Sequence, residues 1–162
     1  MLVYFVRHGE ALSESQDKKR PLTEKGRMET YALADKLAAS KGVKISRIYH
    51  SGKLRAKQTA DIFASAFAMP GRVSEIKGIM PNDNISACVE ALDDVKSNIM
   101  IVGHLPHLSK TVTKLACGDE GSGNNPFNDH GVVALERKEG DLWEVAAVYS
   151  RGDDTDRKII CL

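Results

Sequence analysis

The stretch Met1-Leu2-Val3-Tyr4-Phe5-Val6-Arg7-His8-Gly9-Glu10 decides how the rest of the chain is read. Leu2 to Val6 is an unbroken apolar run, short for a helix and without the polar alternation of a half-exposed strand. It reads as a strand covered on both faces. Such a strand belongs to a sheet with helices packed on either side. The run stops at a cation and an imidazole, and a glycine then turns the chain.

Two later segments repeat this form. Ser46-Arg47-Ile48-Tyr49-His50 reads as a strand that ends on Ser51-Gly52, with Arg55 just beyond. Ile99-Met100-Ile101-Val102 reads as a third, halted at Gly103-His104. Helical patterns lie between and after them. Thr23 is placed to cap a helix bearing Met28, Tyr31, Ala34, Leu37 and Ala38, with Gly42 as its stop. A second helix carries Ala56, Ala60, Phe63, Ala66 and Phe67 and ends before Pro70. Ile85, Cys88, Val89, Leu92 and Val95 recur at helical spacing, as do Leu105, Leu108, Val112 and Leu115. Residues 118–126 have the composition of a loop. Val132–Leu135 and Leu142–Tyr149 read as strands joined near Glu139-Gly140-Asp141. The expected fold is α/β: a three-layer α/β/α sandwich with a mostly parallel central sheet and an antiparallel C-terminal hairpin. No repeat or linker divides it, so residues 1–162 are expected to form a single domain.

Composition narrows the partners. The 162 residues are 42% apolar and 28% charged, with a formal net charge of +1. That balance provides no global field, so an anion must be held by a local cluster, and nucleic acid is not indicated. No apolar stretch approaches the ~20 residues that span a bilayer. The N-terminal run is too short for a signal peptide and lacks a preceding basic region, so a cytoplasmic location is expected. Cys88, Cys117 and Cys161 are odd in number and widely spaced, which argues against a disulfide framework or a zinc site. Asn84-Ile85-Ser86 has no meaning as a sequon without secretion, and Arg151-Gly152-Asp153 reads as a solvated turn.

In open α/β sheets, ligands gather at the carboxyl ends of the strands. If the three strands are parallel neighbours, Arg7, His8, Arg55 and His104 converge there. Guanidinium groups present paired donors to phosphate oxygens. Helix N-termini after Ser51 and His104 add backbone donors. An imidazole can take a phosphoryl group on nitrogen and divide one displacement into two, and the surrounding cations disfavour its protonation. A lone histidine at a strand end is ordinarily a partly buried polar residue; so much cation buried together calls for an anion. His104-Leu105-Pro106-His107 superficially resembles a metal pair, but Pro106 and the lack of nearby carboxylates argue against one. His50 borders the pocket or points away from it, and His130 reads as a loop residue.

With those residues in view, the chain resembles the histidine phosphatase superfamily, also called phosphoglycerate mutase-like. The likeness rests on Arg7-His8-Gly9-Glu10, Pro21-Leu22-Thr23-Glu24-Lys25-Gly26, Ser51-Gly52-Lys53-Leu54-Arg55-Ala56-Lys57-Gln58-Thr59 and Val102-Gly103-His104-Leu105-Pro106-His107. It covers residues 2 to about 117. The resemblance implies that His8 is the nucleophile and that Arg7, Arg55 and His104 hold the phosphate oxygens, with no metal or other cofactor. Ser51 and Arg20 are further substrate-binding candidates, although Lys18-Lys19-Arg20 also reads as a solvated basic run. The short chain, Arg20-Pro21-Leu22-Thr23 and His104-Leu105-Pro106 are most similar to the SixA-type branch. That branch implies a phosphohistidine-bearing protein as partner, such as a phosphotransfer domain, with inorganic phosphate as product. Larger relatives carry a glutamate proton donor in an insertion that is short here. Glu75 and Asp83 are the only obvious substitutes, and neither is assigned as an acid. The rival readings are a phosphomonoesterase for small phosphorylated metabolites, and a non-catalytic phosphate- or phosphoprotein-binding module.

Overall fold

The computed structural model describes residues 1–121, 125–127 and 131–150. Six strands form one sheet: β1 (Leu2–Arg7), β2 (Arg47–His50), β3 (Val73–Glu75), β4 (Ile99–Gly103), β5 (Gly131–Arg137) and β6 (Trp143–Ser150), in the order β3-β2-β4-β1-β5-β6. The β1–β4, β4–β2 and β2–β3 pairs are parallel. β5 runs antiparallel to β1 and to β6, completing the expected hairpin. A bulge between Ala134 and Leu135 shifts the β5–β6 register.

Alternation along the central strands feeds two cores. Tyr4, Val6, Ile48, Met100 and Val102 face one side and pack with Leu33, Leu37 and Phe63 of helices α1 (Glu24–Ala39) and α2 (Leu54–Ala66). Val3, Phe5, Ile99 and Ile101 face the other and pack with Cys88, Leu108 and Val112 of α3 (Ser86–Ala91) and α4 (His107–Cys117). The sheet is therefore covered on both faces, which is why β1 and β4 read as continuous apolar runs. Among the described residues, no helix is long and apolar enough to cross a membrane.

Several details depart from the sequence reading. β3 was not anticipated; three residues are too few to show a period. The helix expected across Ile85–Val95 is shorter, giving way to a 3₁₀ turn at Leu92–Asp94. α4 begins at His107 rather than Leu105, because Pro106 stands at its N-cap. α1 is rotated about its axis: Met28 and Tyr31 are exposed, whereas Gly26, Thr30, Leu33, Ala34 and Leu37 are buried. Gly26 explains the rotation. A Cβ there would lie 2.1 Å from the Glu10 carbonyl oxygen, so the helix presses its glycine against the loop after β1. Cys88 is a buried free thiol, but Cys117 is disulfide-bonded, a departure from the argument against a disulfide framework. Cys161, His130, Arg151-Gly152-Asp153 and residues 122–124 of the 118–126 loop lie outside the described residues.

Candidate active site

The parallel register of β2, β4 and β1 brings their carboxyl ends side by side. Arg7 is in register with Gly103, and the next amide, His8 N–H, donates to the Gly103 carbonyl at 3.1 Å. His8 and His104 therefore leave adjacent strands together, their ring centroids 4.9 Å apart and tilted by 57°. Arg55 enters from the first turn of α2, buried, and its Nε–H donates to His8 Nε2 at 3.2 Å.

The orientation of His8 follows from its other nitrogen. Nδ1 lies 2.7 Å from the Gly9 carbonyl, an acceptor only, so Nδ1 carries the proton and Nε2 keeps its lone pair. Burial pushes the His8 pKa down to about 4, with Arg55, Arg7 and Arg20 adding to the effect and the Gly9 hydrogen bond opposing it. The direction matches the sequence reading, but burial leads and the cations follow.

His104 is more extreme. Burial, then His8, Arg55, Lys53 and His107, hold it down at about 3. Its Nε2 lies 2.5 Å from Ser51 Oγ, both residues being buried, and its Nδ1 is buried without a hydrogen-bond partner. Ser51 thus spends its hydroxyl on His104.

Arg20 separates from its neighbours: Lys18 and Lys19 are exposed, whereas Arg20 is half-buried. Its Nε donates to the Leu12 carbonyl at 3.1 Å, and its charge lowers the pKa of both His8 and Arg55. It therefore belongs to the cluster's field and not to a solvated run.

Three groups to which the sequence alone assigns no role take part. Thr59, one turn after Arg55 on the same helix face, accepts the Gly9 N–H at 3.1 Å and donates to the Arg55 carbonyl at 2.8 Å, tying the histidine loop to α2. Gln58 Oε1 accepts the Leu22 N–H at 2.8 Å, anchoring the segment that carries Arg20. Lys53 precedes α2 and acts electrostatically on His104. All three sit inside the 51–59 motif, and the Arg55/Thr59 spacing of one helical turn was the available signal.

The remaining candidates sit elsewhere. His50 is buried, and its Nδ1 accepts the Gly52 N–H at 3.0 Å, bracing the turn that carries Ser51. Glu75 is exposed, with its carboxylate over Gly52; it acts on His50. Asp83 Oδ2 accepts the Met80 N–H and acts on His107. Among the described residues, neither carboxylate contributes to the shift of His8 or His104, and no three His, Cys, Asp or Glu side chains gather as a metal site. The arrangement pairs an imidazole lone pair with a concentrated positive field, suited to attack on a phosphoryl group.

Comparison with known proteins gives the family. Residues 3–76 match the model of the histidine phosphatase superfamily (branch 1). The phosphohistidine phosphatase SixA of Escherichia coli (strain K12) is 31% identical over 124 residues, 74% of this chain and 76% of that protein. An uncharacterized protein of Picosynechococcus sp. is 33% identical over 144 residues, 83% of this chain and 84% of that one. The structure of protein histidine phosphatase SixA complexed with tungstate superposes with a TM-score of 0.80 at 24% identity, covering 93% of this chain and 97% of the other. The chain belongs to the histidine phosphatase superfamily, in its SixA-type branch, and is a phosphatase.

Proposed function

We propose that this phosphatase hydrolyses the P–N bond of a phosphohistidine carried by another protein, through a phospho-His8 intermediate and without a metal step, the site lying in one domain formed by residues 1–162. The observation that carries the reading is the state of His8. Its Nδ1 proton is committed to Gly9, and its Nε2 lone pair is held among cations, with no carboxylate of the described residues among the groups that shift its pKa. Nε2 attacks phosphorus while the bond to the substrate imidazole breaks. Arg7, Arg55 and His104 hold the phosphoryl oxygens, with Arg20 at the rim. A substrate ring protonated at its other nitrogen departs as neutral imidazole, so the first step requires no carboxylic acid. An alkoxide leaving group would need a proton, help commonly worth ~10²–10⁴-fold. Water then attacks phospho-His8 from the vacated side, its proton passing to the phosphate that is released, and Nε2 recovers its lone pair. The SixA relative supports the substrate class, since that protein is named a phosphohistidine phosphatase. A cytoplasmic location and a phosphotransfer domain as partner are part of the same reading.

The test offers a phosphorylated histidine protein and p-nitrophenyl phosphate side by side in EDTA. The phosphohistidine protein should be dephosphorylated far faster, and an alkaline quench of a brief reaction should leave label on His8 that His8→Asn abolishes. Turnover of the ester with no action on phosphohistidine would identify a small-molecule phosphomonoesterase instead. Tight phosphate binding with no label and no turnover would identify a binding module.

A further inference from the structure

Ser51 Oγ and His104 Nε2 lie 2.5 Å apart, both residues essentially sealed from solvent at 1% exposure. His104 Nδ1 is enclosed and has no partner. A neutral imidazole has one proton to place, and a hydroxyl can either donate or accept, so the pair has two arrangements. With the proton on Nε2, Ser51 accepts, and Nδ1 presents a lone pair that repels a phosphoryl oxygen. With Ser51 donating, Nε2 is the acceptor and Nδ1 becomes an N–H donor. A buried donor without a partner is costly, and an arriving oxyanion relieves that cost.

We propose that Ser51 is a positioning residue: its hydroxyl donates to His104 Nε2 and so holds the ring proton on Nδ1, the nitrogen that meets a phosphoryl oxygen. This rests on the reading of His104 as a phosphate-holding group and reassigns Ser51 from substrate ligand to a residue acting through His104. The local structure is built for it. Gly52 adopts φ +84°, and the His50 Nδ1 contact with the Gly52 N–H braces the turn, so the Ser51 hydroxyl is held against the ring instead of rotating freely. Burial and the adjoining His8, Arg55 and Lys53 keep His104 neutral at ordinary pH, the condition under which a tautomer exists to be chosen.

The decisive measurement is the His104 tautomer in the substrate-free enzyme, read from long-range ¹H–¹⁵N correlations, with its signals assigned by their loss in His104→Asn. Wild-type enzyme should carry the proton on Nδ1, and Ser51→Ala should shift the ring toward the Nε2–H form. With p-nitrophenyl phosphate, the Ser51→Ala variant should lose about tenfold to a hundredfold in turnover, less than the ~10²–10³ of deleting an oxyanion donor outright. In a His104→Asn background, whose amide supplies a donor near the Nδ1 position, removing the Ser51 hydroxyl should change turnover less than about twofold. A wild-type proton on Nε2 overturns the proposal, as does a Ser51→Ala variant in which either the tautomer or the turnover stays put. The tautomer is read without substrate and turnover with a generic ester, so failure here is distinct from a failure to act on phosphohistidine.

Discussion

Arg55 Nε donates to His8 Nε2 across 3.2 Å, so a guanidinium sits on the very lone pair that attacks in the proposed mechanism. In the substrate-free enzyme this bond keeps the lone pair satisfied although the ring is largely removed from water. In the proposed mechanism the phosphoryl oxygens compete for Arg55 and the same movement frees Nε2, so that one residue both guards the proposed nucleophile and receives the charge that develops.

Arg55→Lys keeps the charge and loses the fork. Lysine cannot supply Nε–H to His8 and paired donors to an oxyanion at once. Turnover should fall by ~10²–10³-fold, the scale of removing a preorganised oxyanion contact, and orthovanadate should bind more weakly. A loss below about fivefold in steady-state kinetics would mean that charge alone suffices at this position.

The pH profile should be displaced toward acid. The folded-state pKa of His8 is about 4 and that of His104 about 3, both below the unfolded value of 6.5. The unfolded chain therefore binds more protons than the native one below pH 6.5, and stability rises with pH through that window. The stabilisation is complete above about pH 6.5 and is lost as pH falls toward 4 and then 3. Melting temperatures measured from pH 7 to pH 4 should decline steadily, and His8→Asn should flatten part of the slope. The acid limb of kcat/KM should sit nearer pH 4 than pH 6.5, unless a substrate group titrates first.

Gly26→Ala should be far more damaging than its helical position suggests. In an exposed helix interior this exchange ordinarily stabilises by roughly 0.5–1 kcal/mol. Here the new methyl would meet the Glu10 carbonyl at 2.1 Å and the Glu10 amide nitrogen at 2.8 Å, both backbone atoms that cannot rotate away. Urea denaturation should show a loss of about 1–3 kcal/mol or more. Activity should fall as well, because Glu10 adjoins Gly9 and His8. Gly71→Ala, with open space but φ +79°, should cost only about 1 kcal/mol and leave activity unchanged.

Glu75→Gln and Asp83→Asn should each alter phosphohistidine hydrolysis by less than about threefold, well below the ~10²–10⁴ attached to a general acid. Both carboxylates act on other histidines: Glu75 on His50 and Asp83 on His107. A loss near a hundredfold on an ester substrate in either variant would favour the phosphomonoesterase reading.

Much of this was legible in one dimension. The apolar runs of β1 and β4 and the residues that stop them are local signals, and so was the N-cap at Thr23, whose Oγ1 accepts the Gly26 N–H at 2.9 Å. β3 was not legible, since pairing with β2, not its own pattern, makes it a strand. The buried face of α1 was misjudged because side-chain hydrophobicity pointed to Met28 and Tyr31, whereas close backbone approach at Gly26 set the rotation. Arg20 looked like its lysine neighbours until the chain folded its guanidinium toward His8.

The linear chain carries the inventory of the site: an imidazole, guanidinium groups and a second imidazole, each placed where a covered strand gives way to a turn. That much is chemical composition and local geometry, and it travels with the residues. Which guanidinium meets the free nitrogen of His8, which hydroxyl meets His104 and how far both pKa values fall depend on distance and burial between segments far apart in the chain. Those quantities come into being only when the parallel register of β2, β4 and β1 closes and water is excluded.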